Sequence, residues 1–209
     1  MSRADLDAIF DADRALREAE SRLLEGDPTD LLLDAIAEAR ALDDPDEAAA
    51  RLIRLADLCA QVPGVAMIEG LIDILDDEDP QVRVQAGEAL LDVAFDYYGD
   101  VARAIEARLE GPHRGPCMVE LPFLLVEVGE GGTARLLKGF LRHPDPEVIA
   151  AGIEAAVEAQ ETSLAPELEK LTGDQRDVTI ADFESETEAT VGALATEALE
   201  LFAQMDENP

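Results

Sequence analysis

The chain has no tryptophan, two tyrosines, six phenylalanines, two histidines, two cysteines and two lysines among its 209 residues. Each shortage excludes something. At 4% aromatic content, few rings exist to stack on bases or sugars. Cys59 and Cys117 are too few for a disulfide scaffold; each lies in an apolar helical context, which reads as two buried thiols in a reducing compartment. Neither His113 nor His143 has a second histidine at metal-ligand spacing, so both are expected as exposed joint residues. No stretch approaches about 18 apolar residues, so no membrane-spanning helix is expected. Met1-Ser2-Arg3-Ala4-Asp5 leads straight into acidic amphipathic sequence without the apolar core of a secretory signal, and the expected location is the cytoplasm. Positive charge is scarcest of all: 16 Lys and Arg stand against 48 Asp and Glu, a formal net charge of −32. A phosphate backbone needs clustered basic side chains, which argues against direct nucleic-acid binding.

What the chain does have is apolar residues at helical spacing. It is 47% hydrophobic, too much for a disordered acidic tail. Leu6, Ile9, Phe10, Ala15, Leu16, Ala19, Leu23 and Leu24 keep mainly to 3–4 spacing and predict a first helix over 3–24, ended by Gly26-Asp27-Pro28. Strand signals are nearly absent, so an all-α fold is expected. Five helix pairs follow: 29–42 with 45–61, 65–76 with 80–96, 100–110 with 116–128, 133–142 with 146–160, and 165–172 with 186–204. A common joint links the helices of a pair. Asp44-Pro45, Asp79-Pro80 and Asp145-Pro146 each follow an apolar helix end and a short polar turn. Asp44, Asp79 and Asp145 are the expected N-caps, accepting from free amides of the next helix, with Pro suited to its first position. Pro116 keeps the rhythm without a preceding Asp. A period of 20–50 residues with two helices per unit indicates a solenoid, here of about eleven helices.

The segment Asp79-Pro80-Gln81-Val82-Arg83-Val84-Gln85-Ala86-Gly87-Glu88-Ala89-Leu90, and the looser copy running from Asp145-Pro146-Glu147-Val148 to Ala155, resemble the second helix of HEAT repeats. The short period is closest to the bacterial and archaeal HEAT-like units of the phycobilisome-lyase type. The resemblance implies a right-handed α-solenoid: a single repeat domain over 1–209, with a capping helix in 1–26, repeat pairs in 27–172, and a loop insertion plus C-terminal capping helix in 173–209. It implies little about function, because such repeats serve scaffolds, adaptors, inhibitors and a few enzymes. Gly87 is expected where stacked helices approach. The polar connection 173–185, with one strand-like stretch, is either a tolerated surface loop or a binding element.

Catalytic constellations fail on inventory. Ser2, Ser21, Ser163 and Ser185 lie in no Gly-x-Ser-x-Gly context. Cys117 opens an almost wholly apolar helix, where burial would raise its pKa. Gly129-Glu130-Gly131-Gly132 has neither the preceding strand nor the Lys of a phosphate loop, and Asp76-Asp77-Glu78-Asp79 has no calcium-loop register. No enzyme activity, metal or cofactor is expected. One acid-free segment, Gly131 to Pro144, carries Arg135, Lys138 and Arg142 on one helical face beside His143. It reads as a solvated face paired with neighbouring acids, or as a small anion contact.

Two explanations compete for the acidity. In one, second helices line a concave face where Glu88, Asp92, Glu120, Glu127, Glu154, Glu158 and Glu197 form an anionic trough that attracts another, basic protein. The function is then that of a non-catalytic adaptor or scaffold. An alternative is an immunity or inhibitor protein that neutralises a basic effector by mimicking nucleic acid. A second alternative, resting on the resemblance alone, is a chromophore-lyase-like role. In the other explanation the charge is solvent chemistry. Arginine in place of lysine, many acids and few aromatics look like the proteome of a salt-accumulating halophile, whose molar salt screens charge within about 3 Å.

Overall fold

In the computed structural model, which describes residues 3–111, 113–182 and 185–207, the helical periodicity becomes ten α-helices, one 3-10 turn and one antiparallel strand pair. Met1, Ser2, Pro112, Phe183, Glu184, Asn208 and Pro209 lie outside the described residues. The helices are α1 (Arg3–Leu24), α2 (Thr29–Arg40), α3 (Pro45–Ala60), α4 (Val65–Leu75), α5 (Pro80–Leu109), α6 (Pro116–Val128), α7 (Thr133–Phe140), α8 (Pro146–Glu158), α9 (Ala165–Leu171) and α10 (Val191–Glu207). The turn Thr162–Leu164 precedes α9, and strands β1 (Asp177–Asp182) and β2 (Ser185–Thr190) precede α10. The fold is all-α.

The Asp-Pro joints act as their chemistry dictates. Asp44 accepts from the amides of Asp46 and Glu47 at 3.1 and 3.4 Å, Asp79 from Gln81 at 2.8 Å, and Asp145 from Glu147 at 3.1 Å. Pro45, Pro80 and Pro146 each open the helix that follows. The fourth joint solves its missing aspartate from a distance. Asp76, at the end of α4, accepts the Cys117 amide at 3.2 Å and so caps α6 across 41 residues of sequence. Gly115 makes room for it, since a Cβ there would run into the Asp76 carboxylate.

Within pairs, α2 packs on α3, α4 on α5, α7 on α8 and α9 on α10. Between pairs, α3, α5, α6, α8 and α10 touch in succession, while α2 meets α4 and α5 meets α7. This two-row succession fits a solenoid. One apolar cluster runs through it from Leu32 to Phe202, with Leu52, Leu71, Ile105, Met118 and Phe140 among its fully buried members.

Three features differ from the sequence reading. The helices expected at 80–96 and 100–110 follow each other without a loop as the two arms of α5, and the expected break falls at a kink, Tyr97, with φ −131° and ψ 38°. The expected helix start at 186 is strand: β1 and β2 pair from Asp177↔Thr190 to Asp182↔Ser185, and α10 begins only after Thr190, whose Oγ1 accepts the Ala193 amide at 3.1 Å. Period-two alternation of small or hydroxyl residues with acids over 185–189 satisfies a ladder, and tertiary pairing overrides the helical preference of glutamate. Third, α1 is a helix as expected, yet none of its residues is buried; only Leu23 and Leu24 pack partly on the core.

Gly87 is also not the close-approach position the sequence suggested. A Cβ there would meet only Leu75 Cδ1, at 3.8 Å, an ordinary contact. A glycine held tightly against backbone is Gly192, where a Cβ would sit 2.7 and 2.8 Å from the Thr172 and Asp174 carbonyl oxygens.

Candidate functional site

All seven acids predicted for the binding face are exposed. The structure gathers some of them and leaves others apart. On α5, Val84, Gly87, Glu88 and Leu91 recur at spacings of three, one and three, and on α6 Glu120, Phe123 and Glu127 recur at three and four, so each set presents one helical face. The two faces border one groove of about 420 Å³. Val84, Leu91 and Phe123 supply its apolar surface, and Glu88, Glu120 and Glu127 supply negative charge. Arg83 is the counter-charge inside it. Its Nη1 donates to the Asp77 and Glu78 carbonyls at 3.1 and 2.9 Å, which pins it to the α4–α5 joint, and its Nε lies 3.5 Å from Glu120.

Glu88 also borders a second groove, of about 490 Å³, between α3 and α5, which it shares with Asp92. Asp57 and Asp96 join them there, two acids that sequence reasoning did not single out. Gln85 spans this groove by donating to Asp57 Oδ1 at 2.9 Å. Asp57 belongs to the same half-buried helical face as Arg54, with which it forms an ion pair at 3.2 Å. Helical phase relative to the neighbouring repeat, the one quantity a single sequence does not contain, decides that these acids meet. Glu154 and Glu158 on α8 and Glu197 on α10 line neither groove. Partial desolvation raises the Glu154 carboxyl above its ordinary value.

The acid-free segment finds its counter-charges. Arg135 pairs with Glu106, while Lys138 and Arg142 converge on Glu167 at 2.7 and 2.9 Å. Lys170, one turn beyond Glu167, closes the cluster at 2.9 Å. Hydrogen bonds from Lys138 first, and then Lys170, hold the Glu167 carboxyl down to about 2, against the opposing effect of desolvation. The sequence signal for this partner was indirect: three cations on one face, with no acid among them, require charge from elsewhere.

His143 departs from its expected exposure. It is 4% exposed, and its Nδ1 accepts the Asp145 amide at 3.2 Å, so it braces the α7–α8 joint from inside. Burial lowers its pKa below the ordinary value, with Asp145 opposing. His113 is exposed as expected. Both cysteines are free and buried; burial pushes Cys59 up to about 11, and burial with the neighbouring Asp76 pushes Cys117 up to about 12. Such thiols carry almost no thiolate at neutral pH and are poor nucleophiles.

Among the described residues no group of three or more His, Cys, Asp or Glu side chains is placed to hold a metal ion, and no helix is long and apolar enough to cross a membrane. No family model and no curated protein matches the chain. A crystal structure of an engineered protein from the Northeast Structural Genomics Consortium aligns with 90% of this chain and 84% of that one, at 18% identity and a TM-score of 0.38.

Proposed function

We propose that the protein is a non-catalytic, cytoplasmic HEAT-like adaptor that grips a basic segment of another protein along the α5–α6 groove. One observation carries this reading: an apolar surface of Val84, Leu91 and Phe123 shares that groove with the exposed carboxylates Glu88, Glu120 and Glu127. The apolar surface supplies affinity through burial, and the carboxylates supply orientation and speed of association. An amphipathic helix with arginines flanking a leucine or phenylalanine anchor matches both demands. An inhibitor of a basic effector would use the same surface, with the effector's basic site as the occupant.

The test uses a labelled helical peptide of alternating Arg and Leu faces, titrated by fluorescence anisotropy. Binding should weaken as salt rises, and the triple variant Glu88→Lys, Glu120→Lys, Glu127→Lys should lose about tenfold or more in affinity at unchanged helicity. A triple variant that binds as well as the parent overturns the groove assignment. Reversal of Glu154 and Glu158, which lie outside the groove, serves as the charge-matched comparison.

A further inference from the structure

α1 is 22 residues long and amphipathic, yet it buries no side chain. Leu6, Ile9, Phe10 and Leu16 are 49%, 62%, 55% and 47% exposed. It is tied to the repeats near its end, where Leu23 and Leu24 lean on the core and Glu20 meets Arg54. Helices of this kind draw most of their stability from packing an apolar face, so the cover has to come from outside the chain.

The pattern of the face describes its cover. Ile9, Ala12, Leu16 and Ala19 recur at spacings of three and four, the seam of a two-helix coiled coil with large and small residues in alternation. Such a seam fits a helix that sets its small residues against the large ones. Charge narrows the choice further. Residues 3–13 hold one arginine and four aspartates, whereas residues 14–24 hold three arginines and two glutamates. The helix complementary to this distribution is acidic where α1 is basic and basic where α1 is acidic, which is α1 run backwards.

We propose that α1 pairs antiparallel with α1 of a second copy of this chain, across a twofold axis near Arg14. Ile9 then lies over Ala19 of the partner subunit and Leu16 over Ala12 of the partner subunit, each contact made twice. This direction also suits the charge of the remaining chain. At about 1.5 Å per residue the helix is roughly 33 Å long, so antiparallel pairing holds two strongly anionic repeat bodies at opposite ends, about three Debye lengths apart at 0.1 M salt. Parallel pairing would set them side by side. The seam is short and smaller than a standard protein interface, so the dimer is a weak, reversible one.

The inference stands apart from the groove reading, because it uses a different surface, held by an apolar seam. A basic peptide leaves an acidic groove as salt rises, whereas apolar burial along the seam persists at about 1 M salt. Sedimentation velocity on the full chain, between about 5 and 500 µM at about 0.1 M and 1 M KCl, reads this directly. The mass should rise with concentration from 22.5 kDa toward twice that value at both salt concentrations. The Ile9→Glu, Leu16→Glu double variant should stay monomeric with unchanged melting of the repeats, while Phe10→Glu, off the seam, should assemble like the parent. An equimolar mixture of Ile9→Cys and Ala19→Cys chains should oxidise to the mixed disulfide. A parent chain that is monomeric throughout leaves α1 to a different partner and overturns the proposal. So does a double variant that assembles like the parent, or a disulfide between two Ile9→Cys chains, which marks a parallel pair.

Discussion

Lys138 and Lys170, the two lysines of the chain, meet on opposite oxygens of one carboxylate, that of Glu167, at 2.7 and 2.9 Å. One comes from α7 and the other from α9, so the carboxylate ties the fourth helix pair to the fifth. Glu167→Gln removes the counter-charge and leaves three cations facing each other. Because the lysines are half-exposed, solvent screens part of that cost, and a loss of about 1–2 kcal/mol in urea denaturation at pH 7 is expected. The pH dependence fixes the cause. The folded carboxyl is held down to about 2, below its ordinary value of 4.5, so its contribution is complete above 4.5 and disappears as pH falls through 2. The stability gap between parent and variant should therefore close between those two values.

Asp76 is expected to behave as a helix cap although it lies 41 residues from the helix it caps. Asp76→Ala should cost about 1 kcal/mol, the usual cost of losing an N-cap acceptor, while Asp76→Asn, which keeps the acceptor, should cost less. Chemical denaturation of the three chains measures both. Equal losses would show that charge, and not the hydrogen bond, carries the effect.

Two glycines should respond in opposite directions. Gly87→Ala places a Cβ at ordinary contact distance inside a helix, so it should be neutral or stabilise by up to about 1 kcal/mol. Gly192→Ala drives a Cβ against two backbone oxygens at 2.7 and 2.8 Å, which cannot swing aside as a side chain can. It should destabilise by about 2 kcal/mol or more and lower the melting temperature visibly.

Salt should raise the melting temperature of the parent. With 48 acids against 16 basic residues the folded chain repels itself, and moving from about 0.1 to 3 M KCl shortens the screening length from about 10 Å to below 3 Å. Circular dichroism against temperature measures the shift. A chain that is helical only at the upper concentration carries its acids as an adaptation to its solvent. One that is already stable at the lower concentration tolerates them for a local purpose, and the α5–α6 groove is the first place to look.

The sequence revealed most where a residue's role depends on its immediate neighbours. Asp44, Asp79 and Asp145 cap from one position before a proline, and nothing remote alters that, so the helix pairs and their boundaries were legible. Asp76 was not, because the amide it caps lies far along the chain. The β1–β2 ladder was half visible as one strand-like stretch; its second strand is rich in glutamate and became strand only because the first was there to pair with. His143 sits between Arg142 and Pro144, which reads as an exposed turn, and only the fold encloses it. Of the acidic face, the individual residues were legible and their grouping was not, since Glu88 meets Glu120 and Glu127 only once the rotation of α6 against α5 is set. The amphipathic stripe of α1 reads the same whether its cover lies in the same chain or in another.

In a stacked array each boundary between units is a place where the ends can fray off one unit at a time. α5 spans Pro80–Leu109 but changes direction at Tyr97, whose φ of −131° and ψ of 38° are not helical, so it is two helical arms meeting at a kink. A kink of that kind is a joint, so the arm before Tyr97 and the arm after it can open one without the other. Amide exchange should therefore report separate opening on the two sides of Tyr97, which makes that residue the hinge about which the middle of this protein can part.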